Sequence, residues 1–331
     1  MSLSIGVIGA GIMGADHAQN LHRFISGATV VAIADPDKAR AEAAIAGIAG
    51  ARVYEDPQQL ITADDVAAVV IASPDFLHAD QVKACLDAGK HVLVEKPLAY
   101  DSATCGDVIA HHRRTVGDDV PRVAVGFMRR FDPGYVQMKD ALRSRRHGRP
   151  LMIHSVGRGV TSGPGATNES VVFNSAIHDL DLIPWLLDAP ITEVAWHAGH
   201  PSSTAVDLAD PFLILVRTAD GSLSTVEVFL NARYGYDIRC DAVCETGVLT
   251  LAEPAKLLVN ADLATSTPLA ADWRPRFADA YRLELQEWVD AVRAGRPSTL
   301  ATLADAERAT LVGEAVVESM YSGGRFVEVD R

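Results

Sequence analysis

The 331-residue sequence has few cysteines, a deficit of positive charge and no long apolar run. Its four cysteines, Cys85, Cys105, Cys240 and Cys244, form neither a CxxC pair nor a zinc-ligand spacing. A disulfide framework and a structural metal are therefore not expected; reduced, buried thiols in a cytoplasmic protein are. Thirty Lys and Arg stand against 43 Asp and Glu, a formal net charge of −13. Such a surface repels phosphate backbones and anionic membranes, so neither nucleic acid nor a membrane is an expected partner. No uninterrupted apolar stretch approaches ~18 residues, and the segment from Met1 to Ile8 is too short and too polar for a signal peptide. Apolar residues in total are plentiful, at 48%. A chain of this length is too long for one ordinary core and sufficient for two, so two domains are expected.

The first third alternates strand and helix. Residues 4–9, SIGVIG, form an apolar run that ends in GAGIMG and is followed by helical periodicity through Phe24. The runs ATVVAIAD to Asp35, VAAVVIAS to Ser73 and HVLVEKP to Pro97 repeat the pattern, with helical stretches at 37–46, 77–88 and 101–114. Strands apolar on both faces and separated by helices mean a parallel sheet covered on both sides, an α/β doubly wound arrangement. Gly9, Gly11 and Gly14 satisfy GxGxxG between a strand and a helix, the context that gives this otherwise weak motif meaning. They permit a tight turn and close approach of a pyrophosphate to the helix N-terminus. Asp35 ends the second strand, where a carboxylate accepts both hydrogen bonds from an adenosine ribose and repels a 2′-phosphate, which favours NAD over NADP. The competing reading is that Asp35 only caps a helix starting near Pro36.

Beyond about Arg122 the pattern changes. A helical stretch near 133–145 precedes β-rich runs at 149–158, 191–198, 211–218, 222–230, 236–243 and 246–251, with amphipathic helices at 275–294 and 303–321. A further helix is expected at 175–187, with Ala176, Ile177, Leu180, Ile183 and Leu187 on its apolar side and Asn174, His178, Asp181 and Trp185 on another. Pro184 should kink it. The glycine-rich, polar stretch GRGVTSGPGATNES at 157–170 is a candidate active-site loop.

Hydride chemistry needs a group that takes or returns a hydroxyl proton. Lys96 sits at the C-terminal end of a parallel strand, the edge where such sheets bind ligands. With GVIGAGIMG, SPDFLHA at 73–79, EKPLA at 95–99, GFMRRFDPGYVQMKDAL at 126–142, HDLD at 178–181 and YGYDI at 234–238, the sequence resembles the Gfo/Idh/MocA oxidoreductase family, and over most of its length the inositol 2-dehydrogenase branch. The resemblance implies an N-terminal Rossmann domain, residues 1–121, that binds NAD through Gly9, Gly11, Ile12, Met13, Gly14, Asp35, Ser73, Pro74, His78, Glu95 and Lys96. It also implies a C-terminal α+β domain, residues 122–331, whose large, mostly antiparallel sheet serves substrate binding and homo-oligomer contacts in a dimer or tetramer. In that frame Lys96 hydrogen-bonds the reacting oxygen, His178 is the general base with Asn174 beside it, and Met128, Arg129, Asn174, His178 and Tyr236 contact substrate. The plainer alternatives are a solvated lysine at a strand end, a surface or core histidine, a surface ion pair for Arg129 and a cross-strand aromatic for Tyr236.

Two positions depart from the resemblance. Related dehydrogenases carry an aspartate where this chain has Asn174, and inositol dehydrogenases carry a histidine near Gly157; His154 lies three residues earlier, on the other face of an alternating strand. The expected function is NAD-dependent interconversion of a secondary hydroxyl and a ketone on a cyclic polyol or sugar. The ring could be myo-inositol's isomer, an amino- or deoxy-inositol, or a pyranose. Alternatives are a ketosugar or imine reductase of the same family and a non-catalytic NAD-sensing binding protein.

Overall fold

The computed structural model describes residues 2–117, 120–205, 207–252, 257–261 and 263–329. The chain packs as two units that do not follow its order. One comprises the residues up to Met128 together with Asp279–Thr310; the other comprises Arg129–Ala278 and the residues from Leu311 on.

The first unit holds β1 (Leu3–Ile8), α1 (Ile12–Arg23), β2 (Ala28–Ala34), α2 (Lys38–Ala44), β3 (Arg52–Tyr54), α3 (Pro57–Ile61), β4 (Ala68–Ile71), α4 (His78–Asp87), β5 (His91–Glu95), α5 (Ser102–Thr115) and β6 (Val123–Gly126). Its six strands run in the order β3-β2-β1-β4-β5-β6, all paired in parallel. All four residues of β4 are buried, as a strand covered on both faces requires. Asp37, Asp56 and Asp101 cap α2, α3 and α5, each accepting a backbone N–H and contributing about 1 kcal/mol. The strand order reverses between β1 and β4, and the crevice beyond the carboxyl ends at such a switch point is where these sheets bind ligands. The returning segment Asp279–Thr310 protects the sheet's edge, because the Val125 N–H donates to the Ala301 carbonyl at 2.9 Å. β3, α3 and β6 add short elements to the expected set.

The second unit begins with α6 (Pro133–Arg143), β7 (Pro150–Arg158), α7 (Asn168–Val171) and α8 (Ile177–Leu187). It continues with β8 (Ile191–Ala198), β9 (Phe212–Thr218), β10 (Leu223–Phe229), β11 (Asp237–Cys244), β12 (Gly247–Thr250), the hairpin β13 (Val259–Ala261) and β14 (Ala264–Ser266), and α9 (Trp273–Arg276). α10 (Ala278–Ala294), α11 (Leu303–Tyr321) and β15 (Val327–Glu328) complete the chain's elements. The seven-stranded sheet runs β12-β11-β7-β10-β9-β8-β15. β7 and β10 pair in parallel and the other neighbours antiparallel, a mixed and mostly antiparallel sheet. Along β10, Ser224, Val226 and Val228 are buried while Leu223, Thr225, Glu227 and Phe229 are half-exposed, the alternation of a sheet with one covered face.

All four cysteines are buried and none forms a disulfide. Burial pushes the Cys85 thiol up to about 12, which makes it inert packing rather than a nucleophile. Among the described residues no helix is long and apolar enough to cross a membrane.

Candidate active site

The three glycines of the β1–α1 turn differ in what surrounds them. Gly9 adopts φ +91, and a Cβ there would lie 2.5 Å from the Ala72 carbonyl oxygen. A Cβ on Gly14 would lie 1.9 Å from the Gly9 carbonyl oxygen, so helix and strand approach there as closely as backbone allows. At Gly11, the residue preceding the helix, a Cβ would meet nothing within 4 Å. The turn is thus closed on its protein side and open on its outer side. No side chain caps α1 and its first turn carries no acid, so the positive end of the helix is not neutralised locally. Ile12, the first helical residue, is exposed, with Met13 and Gly14 following it. A dinucleotide pyrophosphate fits this cradle.

Asp35 is buried, and its two carboxylate oxygens accept the N–H groups of Ala10 at 2.7 Å and Asp37 at 2.8 Å. The cap of α2 is Asp37, so the helix-cap alternative for Asp35 does not hold. Asp35 instead ties the glycine turn to the end of β2. An ionised carboxylate has about four acceptor positions, so two remain for a ribose.

At the ends of β4 and β5 a second group of polar residues gathers. The Ser73 hydroxyl donates to Gln81 at 2.6 Å, and Pro74 precedes a short 3₁₀ turn, Asp75–Leu77. Both ring nitrogens of buried His78 face carbonyl oxygens, of Pro97 at 2.8 Å and Ser73 at 3.0 Å, which pins the chain after β4 to the chain after β5. Burial, outweighing those carbonyls and the charges of Glu95 and Asp75, pushes the His78 imidazole below its usual range. Lys96 is half-buried at the end of β5, and its own N–H donates to Glu95 Oε2 at 3.3 Å. Glu95 Oε1 lies 2.7 Å from Nε2 of His17, a residue of α1 that sequence reasoning passed over. Burial raises the Glu95 carboxyl, but the His17 hydrogen bond and the charges of His17, Lys96 and His78 outweigh it and hold the group below the usual carboxylate range.

In the second unit His178 lies near the start of α8, half-buried, with Asn174 exposed in the preceding turn. That turn differs from expectation: Val172–Ala176 is a π-helix, in which the Ile177 N–H reaches back to the Val172 carbonyl. The extra residue alters which side chains align before the α-helix proper begins, and single π turns recur at functional sites. α8 runs on through Pro184 and ends at Asp188 in the left-handed conformation, where the Lys139 ammonium donates to the Trp185 carbonyl and the Asp188 carboxylate.

α8 is apolar on nearly every side, and its two aspartates are buried in it. Each has an arginine. Arg129 donates to Asp179 Oδ1 at 2.7 Å, and Arg130 holds both oxygens of Asp181, at 2.9 and 2.5 Å. Asp179 also accepts the Ser155 hydroxyl at 2.5 Å. The Arg129 guanidinium lies 5.7 Å from the centre of the Phe277 ring and is hydrogen-bonded with Tyr236, which itself packs edge-on against Phe277 at 6.3 Å. Burial opposes the charge on Arg129, yet Asp179 and its neighbours carry its pKa well above the ordinary guanidinium range. Burial likewise raises the Tyr236 phenol. Arg129 is therefore not an exposed ion pair: it is the counter-charge of the residue next to His178, and its Nε is buried with no hydrogen-bond partner among the described residues. Met128 is buried as well. At Gly157 a Cβ would make only ordinary contacts, 3.8 Å to the Glu227 carbonyl oxygen and 3.9 Å to Ile238. His154 pairs with Thr225 at 2.9 Å.

Comparison with known proteins agrees with this architecture. Residues 3–117 match a family described as an oxidoreductase family with an NAD-binding Rossmann fold, and residues 135–250 match the GFO/IDH/MocA C-terminal domain. The chain is 47% identical over 331 residues to inositol 2-dehydrogenase 2 of Paenarthrobacter aurescens, covering 99% of each chain. Among solved structures it is similar to myo-inositol dehydrogenase from Lactobacillus casei in complex with NAD(H) and myo-inositol, at 29% identity and a TM-score of 0.93, covering 100% of this chain and 98% of that one. It also resembles scyllo-inositol dehydrogenase from Lactobacillus casei, at 25% identity and a TM-score of 0.89, covering 99% and 98%. The matched domains span most of the sequence, and the chain belongs to the Gfo/Idh/MocA family of NAD-binding oxidoreductases.

Proposed function

We infer that the protein catalyses reversible NAD-dependent oxidation of a secondary hydroxyl on a cyclic polyol of the inositol class to the ketone. The observation that carries this reading is full-length 47% identity to an inositol 2-dehydrogenase; the relative solved with NAD(H) and myo-inositol supports it. Bound at the glycine turn, NAD supplies the hydride acceptor. Gly9, Gly11, Ile12, Met13 and Gly14 hold its pyrophosphate and Asp35 its ribose, while Ser73, Pro74, His78, Glu95 and Lys96 shape the nicotinamide end. NAD binding belongs to residues 1–121, and substrate and oligomer contacts to 122–331.

Lys96 donates to the reacting oxygen, stabilising negative charge as it develops. His178 takes the hydroxyl proton. Asn174, being uncharged, orients the ring through its carbonyl oxygen or binds a substrate hydroxyl, but supplies no anion to an imidazolium. Tyr236 and Met128 form part of the substrate wall. Arg129 acts through Asp179, fixing the turn that bears His178. The half-exposed apolar residues of the large sheet, including Leu223 and Phe229, suit a homo-oligomer, dimer or tetramer. Reduced thiols suit a cytoplasmic protein.

NADH production in a screen of inositol isomers, amino- and deoxy-inositols and aldoses tests the reading. Turnover with at least one inositol is expected; NAD binding without turnover on any ring would refute it. His178→Ala should lower kcat by about 10²–10⁴ with NAD affinity retained, and Asn174→Asp should change the pH profile. An unchanged profile would uncouple position 174 from the histidine.

A further inference from the structure

His17, a residue of α1, is 1% exposed, and its ring meets Glu95 at the strand end that leads into Lys96. Its Nε2 contacts Glu95 Oε1 at 2.7 Å, its Nδ1 is buried with no hydrogen-bond partner among the described residues, and its ring meets Tyr281 edge-on at 5.7 Å. An ionised carboxylate only accepts hydrogen bonds, so Nε2 carries the proton. Glu95 Oε2 in turn accepts the backbone N–H of Lys96, which fixes the strand end, and the charge of the Lys96 side chain acts on the same carboxylate. The three residues form a line from the helix that opens at the glycine turn to the lysine at the carboxyl end of β5. Burying a histidine and a glutamate together is costly unless each serves the other, and packing alone would be met by apolar side chains of similar volume.

We propose that His17 is a positioning residue for the oxidoreductase reaction: it clamps Glu95 as an anion against Lys96, which keeps the lysine cationic and its strand end fixed. The inference rests on the reading that Lys96 donates to the reacting oxygen. The groups that face Glu95 are His17 from α1, His78 from α4 and Lys96 from its own strand; Tyr281 from α10 backs His17, and Asp75 acts on His78. A nearby anion favours the charged form of an ammonium. Without the His17 donor, buried Glu95 protonates more readily, Lys96 loses its counter-charge, and its titration moves to lower pH.

The test compares His17→Leu, His17→Gln and Glu95→Gln with the parent enzyme. Losing a buried hydrogen bond to a charged group should lower kcat about 10- to 100-fold in His17→Leu, and the alkaline limb of the kcat profile should move to lower pH. Glu95→Gln, which keeps shape but removes charge, should move the limb the same way. His17→Gln, whose amide can donate in place of Nε2, should restore it. In the NAD-free protein the Lys96 Cε resonance, assigned by its loss in Lys96→Met, should titrate at lower pH in His17→Leu and Glu95→Gln than in the parent. If His17→Leu does not fold, Glu95→Gln and the lysine titration decide. An unmoved limb and an unmoved Lys96 titration in Glu95→Gln would overturn the clamp. Full turnover by Lys96→Met would instead overturn the role given to Lys96, a separate failure.

Discussion

The Arg129–Asp179 pair offers the sharpest test of how the second unit holds its candidate base. The two side chains are 5% and 2% exposed, and the pair is closed further by the Ser155 hydroxyl on Asp179 and the Phe277 face over Arg129. Desolvation of both charges has already occurred, so removing one partner leaves the other as an uncompensated buried ion. Breaking such a pair costs about 3–5 kcal/mol. Asp179→Asn preserves shape and can still accept from Ser155, so its cost isolates the lost charge. With a urea slope of ~2 kcal/mol/M, the transition of this unit should shift down by more than about 1 M. The double variant Arg129→Met with Asp179→Leu should recover most of that loss, because two apolar residues in place of a buried ion pair are often neutral or stabilising. Glu318→Gln is the surface control: its pair with Arg325 is 58% and 68% exposed and should cost less than about 1 kcal/mol. Urea unfolding followed by tryptophan fluorescence and circular dichroism reads all three variants against the parent. A loss below about 1 kcal/mol in Asp179→Asn, equal to the control, would show that the pair is not structurally coupled to α8 and would remove the basis for assigning Arg129 a positioning role.

Other expectations follow from single contacts. Gly14→Ala places a Cβ 1.9 Å from the Gly9 carbonyl oxygen and should lower the melting temperature sharply, whereas Gly11→Ala, with open space at that position, should leave it within a few degrees. Gly11→Ala should still weaken NAD at least tenfold, ~1.4 kcal/mol, measured by fluorescence titration; undiminished binding would move the pyrophosphate elsewhere. His78 is held below its ordinary value of 6.5 by burial, so the folded state binds fewer protons than the unfolded one, and stability from this group is present above pH 6.5 and lost as pH falls below it. The slope contributed is at most about 1.4 kcal/mol per pH unit, and His78→Gln should flatten the melting temperature between pH 6.5 and 5; an unchanged slope would assign the acid sensitivity to other groups. Gly157→His adds a Cβ with only ordinary contacts, so it should fold normally and raise kcat/KM for myo-inositol relative to other isomers. An unchanged isomer preference would show that position 157 does not face the ring.

The strands of the first unit were legible because burial on both faces writes itself as continuous apolar runs, and the glycine turn because backbone approach admits no side chain. β3 and β6 were not, since three or four residues carry no period of their own. The π turn was hidden for a related reason: one inserted residue leaves the apolar spacing of the flanking helix intact, so Asn174 and His178 read as neighbours on a regular α-helix. The candidate donors and acceptors themselves were legible as residue types, but what holds them was only half so. Two buried aspartates on a helix as apolar as α8 require partners, but Asp181 read as lying away from the apolar side of that helix, so its burial was not legible. Which cations answer is a matter of pairs separated by 50 and 51 residues for Arg129–Asp179 and Arg130–Asp181, and by 78 for His17–Glu95. No local pattern names a partner at that distance. The ion pair of Arg129 with Asp179 was therefore not legible beside the substrate role that the resemblance implied for it, and His17 did not stand out, since a helical histidine has no local feature that points to a glutamate at a strand end. Both contacts, Arg129 to Asp179 and His17 to Glu95, depend on tertiary approach rather than on residue type.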